Sequence, residues 1–278
     1  MKKNIWIIAL SMASIMSCQR SNSPNQIEAW TYKSQQKLRI SAHRGNSGLA
    51  PENTLATFQK ALDMGVDFIE IDVRTSKDNQ LVILHDGTLN RTTNGTGPIA
   101  QLTLKEIKQL KANKGWEAKF SEERIPTLEE TLQLVQKWNK QKKTKTFIYV
   151  DCKQVAPKPL LNLMKKYQLD KESVYYGDDD FLEKLRMEDP KSKRMPSLNK
   201  FDEMDAKIKR LAPYAFDVNW LRINEQLVKA LHEKNIRVYS DVLGPLDQAV
   251  NYQKAKELGV DLIQTDHVKS VYRYFLGN

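Results

Sequence analysis

Beyond residue 37 the sequence alternates, and this alternation narrows the choice of fold more than any other feature. Short apolar runs of strand character recur: "LRISAH" (38–43), "DFIEIDVR" (67–74), "TFIYVD" (146–151), "SVYY" (173–176), "AFDVN" (215–219), "IRVYSD" (236–241) and "DLIQTD" (261–266). A more polar eighth candidate is "SKRMP" (192–196). Helix-length amphipathic stretches lie between them, with apolar residues at helical spacing such as Leu55, Phe58, Leu62 and Leu227, Val228, Leu231. Strands alternating with helices build βαβ units and a parallel sheet. About eight such units in roughly 240 residues fit an α/β chain of the (β/α)8 TIM barrel type over 38–278. A doubly wound open sheet is the alternative, but no Gly-x-Gly-x-x-Gly follows the first run. The alternation lapses once, from His85 to about Arg124, where Thr, Asn, Gly and Lys dominate. This stretch is expected to be a small insertion after the second strand, about 86–124, at the barrel end where sites form.

The first residues stand outside this pattern. "MKKN" precedes the apolar "IWIIALSMASIM", which is short for a membrane span, and small residues lead to Cys18 in "SIMSC". The segment 1–18 resembles a bacterial lipoprotein signal ending at the cysteine that is lipidated; an ordinary cleaved signal and an uncleaved anchor are the alternatives. Residues 19–37 are expected to be a polar tether. The expected location is the cell envelope, on a bacterial membrane through the lipid anchor. Cys152 would then be a lone thiol, with no intrachain disulfide. Lys+Arg 44 against Asp+Glu 34 gives +10. These charges read as solvated helix faces, so no nucleic-acid partner is expected.

Candidate chemistry gathers at the ends of the strand-like runs. Within "DFIEIDVR", alternation sets Glu70 and Asp72 on one face and Ile69, Ile71 and Val73 on the other. In a barrel the apolar face meets the helices, so the two carboxylates point inward. Neighbouring inward acids repel, and a hard cation such as Mg²⁺ or Ca²⁺ resolves this; a bridge to Arg74 or a barrel lysine is the structural alternative. Asp151 ends "TFIYVD", with Lys153 two residues on; a helix-capping aspartate and a surface lysine are the bland reading. His43 and His85 both close apolar runs, where barrel sites lie. Two imidazoles, Arg44 and a hard metal suit metal-assisted cleavage of an anionic ester, one imidazole taking a proton and the other supplying one.

"HRG" (43–45), "PENT" (51–54), "EIDV" (70–73), "HD" (85–86), "RTTNGTG" (91–97), "IPTLEE" (125–130) and "GVDLIQTD" (259–266) together resemble the glycerophosphodiester phosphodiesterase family, in the family's order. The resemblance implies a metal-dependent barrel that hydrolyses small glycerophosphodiesters to glycerol 3-phosphate and an alcohol. It implies Glu70, Asp72 and Asp151 as metal ligands, His43 and His85 as the acid–base pair, and Arg44 and Lys153 as phosphate contacts. Glu52 in "PENT" is expected to orient its loop, and Asn53 or Thr54 to cap the first helix. The chain departs from the family at Asp151, usually glutamate; at Tyr239, where tryptophan is frequent; and at His267, where many members carry arginine. Action on lysophospholipids, as a lysophospholipase D or phospholipase of the same barrel, and a non-catalytic surface-binding lipoprotein are the alternatives. Head-group preference and oligomeric state are not legible.

Overall fold

The computed structural model describes residues 31–33, 35–46 and 48–277; the signal-like segment and Cys18 lie outside them. The strands in chain order are β1 (Arg39–Ala42), β2 (Phe68–Thr75), β3 (Leu81–Ile83), β4 (Phe147–Gln154), β5 (Val174–Tyr176), β6 (Lys193–Met195), β7 (Ser197–Leu198), β8 (Ala215–Val218), β9 (Arg237–Asp241) and β10 (Leu262–Thr265). The helices are α1 (Leu55–Asp63), α2 (Leu104–Ile107), α3 (Leu128–Gln141), α4 (Pro157–Lys166), α5 (Asp179–Glu188), α6 (Met204–Leu211), α7 (Glu225–Glu233), α8 (Ala249–Leu258) and α9 (Val268–Leu276).

The sheet runs β6-β5-β4-β2-β1-β10-β9-β8-β7, with every pairing along this path parallel. β6 and β7 are one stave interrupted at Pro196, which has no N–H to give to a ladder. β6 pairs with β5 and β7 with β8, so this broken stave closes the barrel, at the place of the polar "SKRMP" candidate. The expected (β/α)8 barrel is the observed fold.

Strand alternation sorts side chains into two cores. Ile69, Ile71 and Val73 of β2 pack outward against the helices, in the main cluster with residues such as Phe58, Leu132, Val228 and Val271. Facing inward, Phe68, Tyr149, Val174, Met195, Ala215, Tyr239 and Leu262 plug the barrel floor. One strand step above that floor stand Glu70, Asp151, Tyr176, Ser197, Asp217, Asp241 and Gln264, so the interior turns from apolar to polar within a single layer.

The insertion is built on β3, which runs antiparallel to β2 and was not anticipated as a separate strand. Beyond it Val82, Leu84, Leu89, Ile99, Ile107 and Ile125 form a small core of their own. A Thr103–Glu106 capping box starts α2 and a Thr127–Glu130 box starts α3, where the chain rejoins the barrel. The tether expected over 19–37 needs one correction. Thr31–Lys33 are helical, and Tyr32 is fully buried against Tyr272 and Phe275 of α9. Its hydroxyl donates to the Leu38 carbonyl at 2.8 Å. An aromatic ring with a satisfied hydroxyl gains more from this niche than from water, so the barrel takes in the chain before residue 38.

Candidate active site

The loop after β1 aims a backbone group at the mouth. Arg44, Gly45 and Asn46 all hold positive φ (48°, 82° and 72°). At Gly45 a Cβ would lie 2.5 Å from Thr57 Cγ2 and 2.7 Å from Phe58 Cδ1, so only glycine fits. This bend turns the Arg44 N–H onto Glu70 Oε2 at 2.7 Å. Two residues of "PENT" then divide the work. Thr54 caps α1, accepting from the Thr57 N–H. Asn53 instead donates from Nδ2 to Asp72 Oδ2 at 2.7 Å.

Glu70 and Asp72 face inward as expected, 2% and 1% exposed. Register sets Asp72 beside Asp151 on β4. One oxygen from each of the three carboxylates lies within 4.8 Å of the others. Lys153 reaches across this group, 2.5 Å from Asp151 and 3.4 Å from Asp72. The barrel-lysine bridge named as an alternative is therefore present, but one ammonium does not balance three acids. Burial, and then the charges of Asp72 and Asp151, push the Glu70 carboxyl well above its usual range. Asp151 is also raised, by burial and then by Asp72, despite Lys153. Arg74 takes no part: its guanidinium turns to the carbonyls of Leu84 and His85. A buried set of hard oxygens with surplus negative charge fits a divalent cation.

Each histidine is held by a carboxylate. His43 Nδ1 lies 2.9 Å from Asp266 Oδ1, and His85 Nδ1 lies 2.7 Å from Asp86 Oδ1. Arg91 then grips Asp86 with two hydrogen bonds, at 2.8 and 2.9 Å, and Glu52 with two more, at 2.7 and 2.8 Å. Glu52 also takes a hydrogen bond from Arg44 Nη1 at 3.0 Å. Its expected role in orienting the loop thus has a concrete form: it ties the loop after β1 to the insertion. Burial opposes charge on Glu52, yet the Arg91 and Arg44 contacts hold its carboxyl below the usual value. Asp86 is held far lower by Arg91, against some burial, with His85 adding to the effect.

All seven barrel residues singled out in the sequence, namely His43, Arg44, Glu70, Asp72, His85, Asp151 and Lys153, line one cavity of about 270 Å³. Asp86, Arg91, Asp266 and Asn53 escaped that reading, although "HD" and "TD" each hold the carboxylate beside the site. Asp217 and Asp241, which line the same cavity, also escaped it. Tyr239 does not touch the mouth; it is 1% exposed on the floor, and Asp241 two residues on reaches the cavity. His267 is exposed beside the α9 N-terminus. His232 is bound to Asp261 at 2.8 Å, away from the cavity.

A (β/α)8 barrel with an acid–histidine centre at the C-terminal ends of its strands is the class that fold and site define. Within that class, the chain belongs to the glycerophosphoryl diester phosphodiesterase family, whose model matches residues 43–270. A glycerophosphodiester phosphodiesterase of Caldanaerobacter subterraneus subsp. tengcongensis is 50% identical over 99 residues, which are 36% of this chain and 41% of that relative. The chain thus aligns with less than half the length of that curated relative. The crystal structure of glycerophosphodiester phosphodiesterase from Agrobacterium tumefaciens superposes with a TM-score of 0.75 at 25% identity, covering 84% of this chain and 99% of that one. An Oleispira antarctica phosphodiesterase, solved with the product sn-glycerol-3-phosphate, has a TM-score of 0.77 at 23% identity, covering 89% and 98%.

Proposed function

We propose that this barrel hydrolyses glycerophosphodiesters to glycerol 3-phosphate and an alcohol. The observation that carries the reading is the pair of carboxylate-held histidines beside three converging acids. Glu70, Asp72 and Asp151 would hold a divalent cation, Mg²⁺ or Ca²⁺, which when bound supplies electrostatic stabilisation of charge on phosphate oxygens. The protein's own groups do the rest. With Nδ1–H given to Asp266 or Asp86, each imidazole presents Nε2 as the free nitrogen, its ring held by the carboxylate. We assign His43 as the base that takes the proton from water and His85 as the acid that protonates the leaving oxygen. Arg44 and Lys153 set positive charge beside the phosphate. Support comes from the family match and from a relative's structure with the product, sn-glycerol-3-phosphate.

Steady-state hydrolysis of glycerophosphocholine, with chelator and after addition of Mg²⁺ or Ca²⁺, tests the reading. Cleavage lost to chelator and restored by one cation is expected. Full activity in chelator would refute the metal role, and a preference for long-chain lysophospholipids would refute the substrate class. Membrane attachment through a lipid on Cys18 is proposed from the signal-like segment alone. Cys18→Ser should leave the membrane fraction, and an unchanged salt-washed membrane fraction would contradict it.

A further inference from the structure

Arg91, in the "RTTNGTG" turn of the insertion, makes two forks with one guanidinium. Nε and Nη2 donate to the two oxygens of Asp86 at 2.8 and 2.9 Å, while Nη1 and Nη2 donate to the two oxygens of Glu52 at 2.7 and 2.8 Å. Four of its five N–H donors are thereby spent on other side chains, which leaves little with which to grip a substrate. The two carboxylates belong to loops that carry the reacting groups. Asp86 holds the His85 ring at Nδ1, and Glu52 holds Arg44 at Nη1. The turn beneath Arg91 is fixed without it. The Thr93 N–H and hydroxyl both donate to the Leu89 carbonyl, and Asn90 Oδ1 accepts from the Gly97 N–H at 3.0 Å. At Gly95 a Cβ would lie 2.8 Å from Leu110 Cδ1, so the turn also packs closely on the rest of the insertion. The insertion is fastened to the barrel elsewhere, by the β3–β2 ladder and by Glu123, which accepts from the Ala56 N–H at 3.3 Å. The His85 backbone is secured from another side, its carbonyl accepting from Arg74 Nε at 3.0 Å. What remains for Arg91 to set is the ring, through Asp86.

We propose that Arg91 is a positioning residue for the cleavage step: anchored in the insertion, it sets the His85 ring through Asp86 and keeps it in register with Arg44 through Glu52. The proposal rests on the phosphodiesterase reading above. Without the guanidinium, Glu52 and Asp86 would be like charges side by side and would move apart, carrying the Asp86 oxygen away from Nδ1. A lysine is no substitute, because a point-like ammonium cannot present two planar forks at once. Arg91 is half-exposed, and ion pairs in such settings add little to stability, so its effect should fall on reaction rather than on folding.

Steady-state kinetics on glycerophosphocholine and on a nitrophenyl ester of glycerol 3-phosphate test this, with melting temperatures alongside. Arg91→Gln should lower kcat on the choline ester by about tenfold or more, with KM changed by less than about twofold. Its loss should follow that of His85→Ala from one ester to the other. Arg91→Lys should restore little of it. Added to Asp86→Asn, Arg91→Gln should cost much less than it does alone, because both act through one ring. Both Arg91 variants should melt close to the wild type. Wild-type kcat in Arg91→Gln, a loss confined to KM, full restoration by lysine, or losses that do not follow those of His85→Ala would each overturn the proposal. Collapse of the melting transition in both variants would make Arg91 a strut for the insertion and overturn it as well. A wild type that cleaves neither ester overturns the phosphodiesterase reading, and this proposal falls with it.

Discussion

The two sides of the barrel mouth both carry acids and treat them differently. On the side built by β1, β2, β4 and the insertion, acids meet fixed partners: Glu70 the Arg44 N–H, Asp72 the Asn53 amide, Asp151 the Lys153 ammonium, and Glu52 and Asp86 the two edges of Arg91. On the side built by β8 and β9, among the described residues, Asp217 has no such partner and Asp241 has only an amide. Groups locked in place cost no reorganisation when charge develops beside them. One side of the mouth is therefore preorganised by fixed partners and the other is not.

The largest effect should come from the organised side. Replacing His43 or His85 by Ala is expected to lower turnover of glycerophosphocholine about 10²–10⁴-fold. Removing both should cost much less than the product of the two losses, because the pair acts in one step. Near wild-type turnover in both single variants would end the distinction between the two sides. With a nitrophenyl leaving group, which departs unprotonated, the His85 variant should recover most of its loss and the His43 variant should not. Next in size, Asp86→Asn should lower kcat about 10–100-fold, since it removes the partner that fixes the His85 ring. A change confined to KM would mean that the Arg91–Asp86 link serves binding alone.

A smaller effect separates the sides by pH. Burial raises the Asp241 carboxyl to about 6, with His43 opposing the rise and Asp151 adding to it. A raised carboxyl binds more protons folded than unfolded. Its stabilisation is therefore complete below the unfolded value near 4 and is lost as pH climbs through about 6. Melting temperatures in chelator should fall over that window, and Asp241→Asn should flatten the fall. An identical slope in the variant would show that Asp241 is not strained by its setting. The smallest effect should come from the outward face of β5. Tyr175 is fully buried, and its hydroxyl has no partner among the described residues, so Tyr175→Phe should change stability by less than about 1 kcal/mol, towards greater stability, with kcat/KM unmoved. A loss of activity there would mean that the barrel's outer packing reaches the mouth.

Legibility in the sequence followed the range over which each signal acts. The Glu70–Asp72 alternation is local, so it predicted its own face, and the runs ending in His43 and His85 predicted convergence once a barrel was assumed. β3 was obscured because "LVILHD" is short, apolar and attached to a loop-rich stretch, so its antiparallel pairing with β2 left no separate mark. Asp217 and Asp241 sit in otherwise ordinary strands, 24 residues apart, and nothing local distinguishes them from solvated acids. Only barrel closure makes them neighbours. Arg91 in "RTTNGTG" carries no local sign of its role, because its partners Glu52 and Asp86 belong to different loops.

The buried Tyr32 also fixes where the chain meets the barrel. Tyr32 and the Lys33–Asp67 ion pair fasten the incoming chain at the N-terminal ends of β1 and β2, the pole opposite the mouth. The strand ends that carry His43, Glu70 and Asp72 lie at the other pole, so a substitution at Tyr32 should loosen packing against α9 and leave the cavity as it is.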